Sequence, residues 1–190
     1  MNAYCNTVGL AALTLLVACG APAGHDDATM ADHKAMMMAD STAKAQVQAQ
    51  EETVRVLYEM FNSGKLDGIE NHVAENFVDH QMDPSITTTG IQSLRDLVAL
   101  YHTGMPDVHQ EMLSISSTGD RTYVHLHIKG TNTGPWAAMP ATGKAMDVLG
   151  ADVLRFENGK VAEHWGYTEE MKMMQQLGLM PAPGEAPPKK

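Results

Sequence analysis

Only two cysteines, Cys5 and Cys19, occur in 190 residues. Both lie near the start, and Cys5 falls in a segment read below as removed, so a disulfide, a thiol nucleophile and a Cys-ligated zinc are excluded. Basic residues are scarce as well. The 13 Lys and Arg stand against 23 Asp and Glu, a formal net charge of −10, and no Lys/Arg cluster focuses a positive field, which excludes nucleic acid as a partner. The apolar run 8–18 is well short of the ~20 residues a membrane-spanning helix needs. There is no internal repeat, and the residues call for no cofactor.

What is present begins with that run. Its length suits the core of a signal peptide, and it closes on Leu16-Val17-Ala18-Cys19-Gly20, which resembles a bacterial lipobox, with small residues for the peptidase and a thiol for a diacylglyceryl group. Residues 1–18 are therefore expected to be a lipoprotein signal peptide. Cys19 is the expected lipidation site, placing the protein in a bacterial cell envelope, membrane-anchored and facing the periplasm or the exterior. Residues 19–45, rich in Ala, Asp, Met and Lys without a useful apolar face, are expected to form a flexible tether. Inside them, Met30, His33 and Met36 offer soft thioethers and an imidazole suited to Cu(I) or Ag(I), on one face if the stretch becomes helical.

The spacing of Val54, Leu57, Tyr58 and Phe61 predicts an amphipathic helix over 48–63, stopped by Gly64. Asp67 and Glu70 have capping-box spacing for a second short helix with Ile69 and Val73 on its apolar side. A strand follows at 76–82. Ile91, Leu94, Leu97, Val98 and Tyr101 mark a third helix, ended by Gly104 and Pro106. Strands are expected at 108–116, 122–129, 145–156 and 161–167, with Thr118-Gly119-Asp120 and Glu157-Asn158-Gly159 as turns. Thr168 is placed to cap a last short helix. Helices first and an antiparallel meander afterwards predict an α+β domain over 46–180, its curved sheet wrapped over the N-terminal helices around a cone-shaped hollow, with a disordered tail at 181–190.

Asn76-Phe77-Val78-Asp79-His80, Gly130-Thr131-Asn132-Thr133-Gly134, Met139-Pro140-Ala141-Thr142-Gly143-Lys144, Arg155-Phe156-Glu157-Asn158-Gly159-Lys160, Glu163-His164-Trp165 and Gln176-Leu177-Gly178 occur in that order. Together they resemble the SnoaL-like polyketide cyclase family of the NTF2-like superfamily. The resemblance implies an NTF2-like cone. It also implies an acid/base Asp two positions after the His of the Glu-His-Trp-like strand, and that position is Gly166 here. The partner position on the preceding strand, a polar His in the cyclases resembled, is Asp152.

Whether a site remains depends on the register of the last hairpin. A two-residue Asn158-Gly159 loop sets Asp152 opposite Trp165 and leaves His164 on the other face. A three-residue Glu157-Asn158-Gly159 loop pairs Asp152 with His164, and it is the preferred register because it keeps Glu163 off the apolar face of Leu154 and Phe156. In that arrangement Asp152 and His164 are the expected catalytic pair for proton transfer on a small, largely apolar ligand. His80 would complete a polar ring. Tyr58, Phe61 and Trp136 are the expected ligand contacts, with core packing the plainer alternative for Tyr58, Phe61, Met112 and Leu100, and packing beside the cone mouth an equal alternative to covering it for Trp136. The competing reading is a non-catalytic binding or accessory lipoprotein, its cone a ligand store or a homodimer surface, its tether a Cu(I) or Ag(I) site.

Overall fold

Residues 25–181 and Gly184 are described in the computed structural model of the protein. The expected signal segment, the lipidation site at Cys19 and most of the 181–190 tail lie outside the described residues. The chain divides into two units after Ala39, and the sheet belongs to the second.

Helix α1 spans His25–Ser63, so it begins far ahead of the expected helix at 48–63, and from residue 25 the expected tether is helix rather than coil. Ala is the commonest residue of this stretch, and with Met, Lys and Gln it supplies the high intrinsic propensity that supports a helix without an apolar face. Residues 29–46 are all exposed. Burial starts only at Gln50, and from there Val54 and Tyr58 turn inward. Gly64, at φ 67°, ends the helix in the left-handed conformation that a residue with a Cβ rarely adopts.

The expected second helix is reduced to a single 3-10 turn, Ile69–Asn71. Left-handed Gly68, at φ 80°, occupies the position before the turn, so Asp67 does not cap it. Val73 instead opens strand β1, Val73–Asp79. Helix α2 follows at Ile91–Gly104. Then come β2 (His109–Thr118), β3 (Arg121–Thr131), β4 (Ala145–Glu157), β5 (Lys160–Thr168) and α3 (Glu170–Gln176). Thr168 is the last residue of β5, and Glu169 stands at the head of α3.

The sheet order is β1-β5-β4-β3-β2. β2 to β5 form the expected antiparallel meander, but β1 lies parallel to β5, so the sheet is mixed. The parallel pairing covers an edge that β5 would otherwise expose. One face alternates inward along β3 through Val124, Leu126 and Ile128 and along β4 through Met146, Val148, Leu154 and Phe156. These side chains pack with Val54, Tyr58, Ile69 and Phe77 into one core. The fold is the expected α+β cone.

Candidate active site

Three neighbouring strands deliver the polar groups of the inner face. Asp79 on β1 is the register partner of His164 on β5, while on β4 Leu154 partners His164 and Asp152 partners Gly166. His164 therefore sits between two carboxylates. Its Nδ1 is 3.0 Å from Asp79 Oδ2, and its Nε2 is 3.4 Å from Asp152 Oδ2. The Tyr58 hydroxyl, coming from α1, donates a short hydrogen bond to that same Asp152 oxygen.

The hairpin reaches this arrangement by neither expected register. Asn158 and Gly159, at φ 51° and 78°, form a two-residue loop with Glu157 opposite Lys160. Both residues are in the left-handed region that a tight hairpin turn requires. The register then shifts, because Phe156 partners Val161 while Arg155 partners Glu163, leaving Ala162 as the extra residue of a bulge. That insertion restores the face parity of the three-residue loop, so Asp152 and His164 share a side as diagonal neighbours rather than as a direct pair. Glu163 lies directly opposite Arg155, whose Nε donates to it at 2.7 Å.

These groups line a cavity of about 650 Å³. Its wall is mostly apolar: Phe61, Phe77, Leu94, Leu97, Leu154 and Met173 are among its lining residues, with Tyr58 and Trp136. Tyr58, Phe61 and Trp136 are thus brought to the hollow as expected, whereas Met112 and Leu100 pack on the core without lining it. Trp136 is carried by a tight turn in which its N–H and that of Met139 each donate to the other's carbonyl. Buried Asn132 steadies that loop, its Nδ2 donating to Gly104 and Gly134 carbonyls and its Oδ1 accepting from Thr142 N–H. The Trp136 indole Nε1 is buried with no hydrogen-bond partner among the described residues.

Charge is concentrated at the polar end. Burial alone pulls the His164 pKa down, but the hydrogen bonds and negative charges of Asp152 and Asp79 outweigh it and push the group up to about 10. At neutral pH His164 is therefore an imidazolium held between carboxylates. Burial first, then the charge and hydrogen bond of Asp152, hold the Tyr58 phenol well above its ordinary value, so it remains a donor. Burial and the charges of Asp152, Asp83 and Asp79 push Tyr101 up to about 12.

Gly166 lets the β5 backbone lie close against the pair. A Cβ built there would stand 3.0 Å from His164 Cε1 and 3.3 Å from Asp152 Oδ1. A side chain at 166 would therefore crowd both groups, and the Asp152 oxygen nearest Gly166 is Oδ1, which Tyr58 and His164 do not engage; Asp152 and Gly166 both line the cavity.

His80 is not part of this arrangement. Strand alternation from buried Phe77 turns Asp79 inward and His80 outward. On the outer face its ring stacks on Trp165 at 4.3 Å and its Nε2 lies 2.8 Å from Glu163 Oε2. The inward group is Asp79, which the sequence reading quoted but did not assign; the parity of Phe77 was the signal that identifies it. Tyr101 was read only as part of an apolar helix face. Met30 and Met36 are exposed on α1, and His33 with them.

A cone of helices and curved sheet holds an Asp–His–Asp row at one end of an apolar cavity. A family model described as SnoaL-like polyketide cyclase matches residues 51–177. The chain belongs to the SnoaL-like polyketide cyclase family. It is 22% identical over 127 residues, 66% of this chain and 79% of the relative, to the aklanonic acid methyl ester cyclase DauD of Streptomyces sp. (strain C5). Among solved structures, TsrD from Streptomyces laurentii superposes with a TM-score of 0.64 at 19% identity, covering 70% of this chain and 97% of that one. A SnoaL-like polyketide cyclase from Agrobacterium tumefaciens str. C58 gives a TM-score of 0.57 at 18% identity, covering 67% and 97%.

Proposed function

We propose that the domain binds a small, largely apolar molecule in its cavity and catalyses acid/base proton transfer of the cyclase or isomerase type on it. One observation carries the reading: Asp152 lines the wall of an apolar cavity with its Oδ2 engaged by Tyr58 and faced by His164, while Oδ1, on the side of Gly166, takes part in neither contact. Asp152 Oδ1 is the base. It takes a proton from a carbon α to a carbonyl, the C–H electron pair passes into the enolate, and the same carboxyl returns the proton to carbon or oxygen. His164, held by Asp79, orients Asp152. Tyr101, which lines the cavity with its phenol held protonated, is a donor available to the enolate oxygen. The relative named as a methyl ester cyclase supports chemistry of this class.

Deuterium incorporation into an apolar aryl methyl ketone such as acetylnaphthalene, followed by NMR in heavy water, tests the assignment. Asp152→Asn should reduce exchange to background with an unchanged melting transition; full exchange in that variant refutes the role.

A second, accessory reading concerns the first part of the chain. Export and lipidation at Cys19 are proposed from the sequence alone, and incorporation of a palmitate analogue into the wild type but not Cys19→Ala checks them. Met30, His33 and Met36 follow one another at helical one-turn intervals on an exposed stretch of α1, a soft donor set for Cu(I) or Ag(I). Titration of the full chain with Cu(I) against a competing chelator should show one site, lost in Met30→Leu/Met36→Leu. Millimolar affinity or weaker would end the idea.

A further inference from the structure

The charges around the cavity are one-sided. Asp79, Asp83, Asp152 and Glu170 line it, and among the described residues no Lys or Arg does. His164 is the one cationic group in the lining, and both of its nitrogens already face carboxylates. The cavity therefore carries an uncompensated negative potential, in an apolar surrounding that screens it poorly. A carboxylate or phosphate ligand would enter against that field.

The aromatic wall has the matching character. Tyr101 sits at the centre of a contiguous trio, edge-on to Phe61 with centroids 5.5 Å apart and tilted against Trp136 at the same distance. All three line the cavity. Rings with negative faces beside carboxylates form the surround in which an alkylammonium is held by cation–π attraction.

We infer that the ligand of this cavity carries a cationic nitrogen on an apolar body, the aromatic trio and the Asp83 and Glu170 carboxylates receiving the charge. This rests on the cavity being the ligand site, as in the function proposed above, and adds the class of ligand it takes. Neutral molecules of the same shape bind more weakly, and anions are rejected.

Three probes with one hydrocarbon body separate the possibilities: naphthylmethylamine, naphthylmethanol and naphthoate, titrated into the full protein by calorimetry at neutral pH. The amine should bind about tenfold more tightly than the alcohol, with the acid weakest, and the amine-to-alcohol ratio should shrink as salt is raised. Asp83→Asn and Glu170→Gln should each lower that ratio while leaving the alcohol affinity unchanged. Asparagine retains the acceptor oxygen through which Asp83 Oδ1 holds the Ser85 N–H at 2.8 Å, so the loop is kept. Equal binding of amine and alcohol, or tighter binding of the acid, overturns the inference while leaving a ligand site intact. Binding of none of the three overturns both it and the cavity's role as a ligand site.

Discussion

His164 and Asp79 are register partners on parallel strands, and the 3.0 Å contact between Nδ1 and the Asp79 carboxylate fixes the imidazole so that its Nε2 faces Asp152. The consequence is a histidine charged in the fold well past the pH at which it is charged in the unfolded chain.

That difference makes stability depend on pH with a defined sign. The folded pKa of about 10 lies above the ordinary 6.5, so His164 binds a proton more tightly in the native state. Its contribution is complete below about pH 6.5 and is lost as pH rises through the folded value. The melting temperature should therefore fall between about pH 7 and pH 10, more steeply in the wild type than in His164→Gln. Parallel profiles for the two proteins would contradict the charged row.

Asp79→Asn removes one of the two carboxylates that hold the charge. The Asp79 side chain is 3% exposed, so solvent offers little replacement. The His164 pKa, followed by NMR, should drop toward its ordinary value, and urea denaturation should show a loss of about 2 kcal/mol, within the range for depriving a buried charged group of a partner. An unmoved pKa would mean that Asp152 alone sustains the imidazolium.

The fold was legible where periodicity and punctuation agree. Val54, Leu57, Tyr58 and Phe61 mark the buried face of α1, and Gly64 ends the helix where expected. The sequence signal failed where no pattern was needed: residues 25–47 are helical by propensity alone, and a pattern-based reading cannot see that. At the site, Asp152 and His164 were recoverable because strand parity is a local property. The means was not, since the bulge at Ala162 has no sequence marker beyond a small residue between Val161 and Glu163. His80 differs for an opposite reason: parity from Phe77 turns its side chain to the outer face, against the polar-ring role that an imidazole next to Asp79 suggests.

His80→Ala tests that correction. The ring is on the outer face, stacked on Trp165 and paired with Glu163, which Arg155 also holds at 2.6 Å. Ketone exchange should be unchanged, and stability should fall by only about 0.5–1 kcal/mol, as for an exposed ion pair and a ring contact. Loss of exchange without loss of stability would return His80 to the site.

The pairing of Asp152 with Gly166 predicts that the acid can change strands. The resemblance to the cyclases puts an acid/base Asp at position 166 and a His at position 152, and here the carboxylate stands on the other member of the same cross-strand pair. Gly166→Asp in the wild-type background should lose activity, because its Cβ meets His164 Cε1 at 3.0 Å and its carboxylate meets that of Asp152, two like charges in one apolar pocket. In Asp152→His/Gly166→Asp the repulsion between the two carboxylates is gone, the close Cβ contact with His164 remains to be absorbed by a small shift, and the acid/base carboxylate faces the cavity from β5. Exchange into acetylnaphthalene should recover to within about a hundredfold of the wild type, against background for Asp152→Asn, a gap set by the cost of a misplaced catalytic group. Should the double variant fold and stay at background, the cavity needs its base on β4, and the arrangement here is a distinct site rather than an exchanged one.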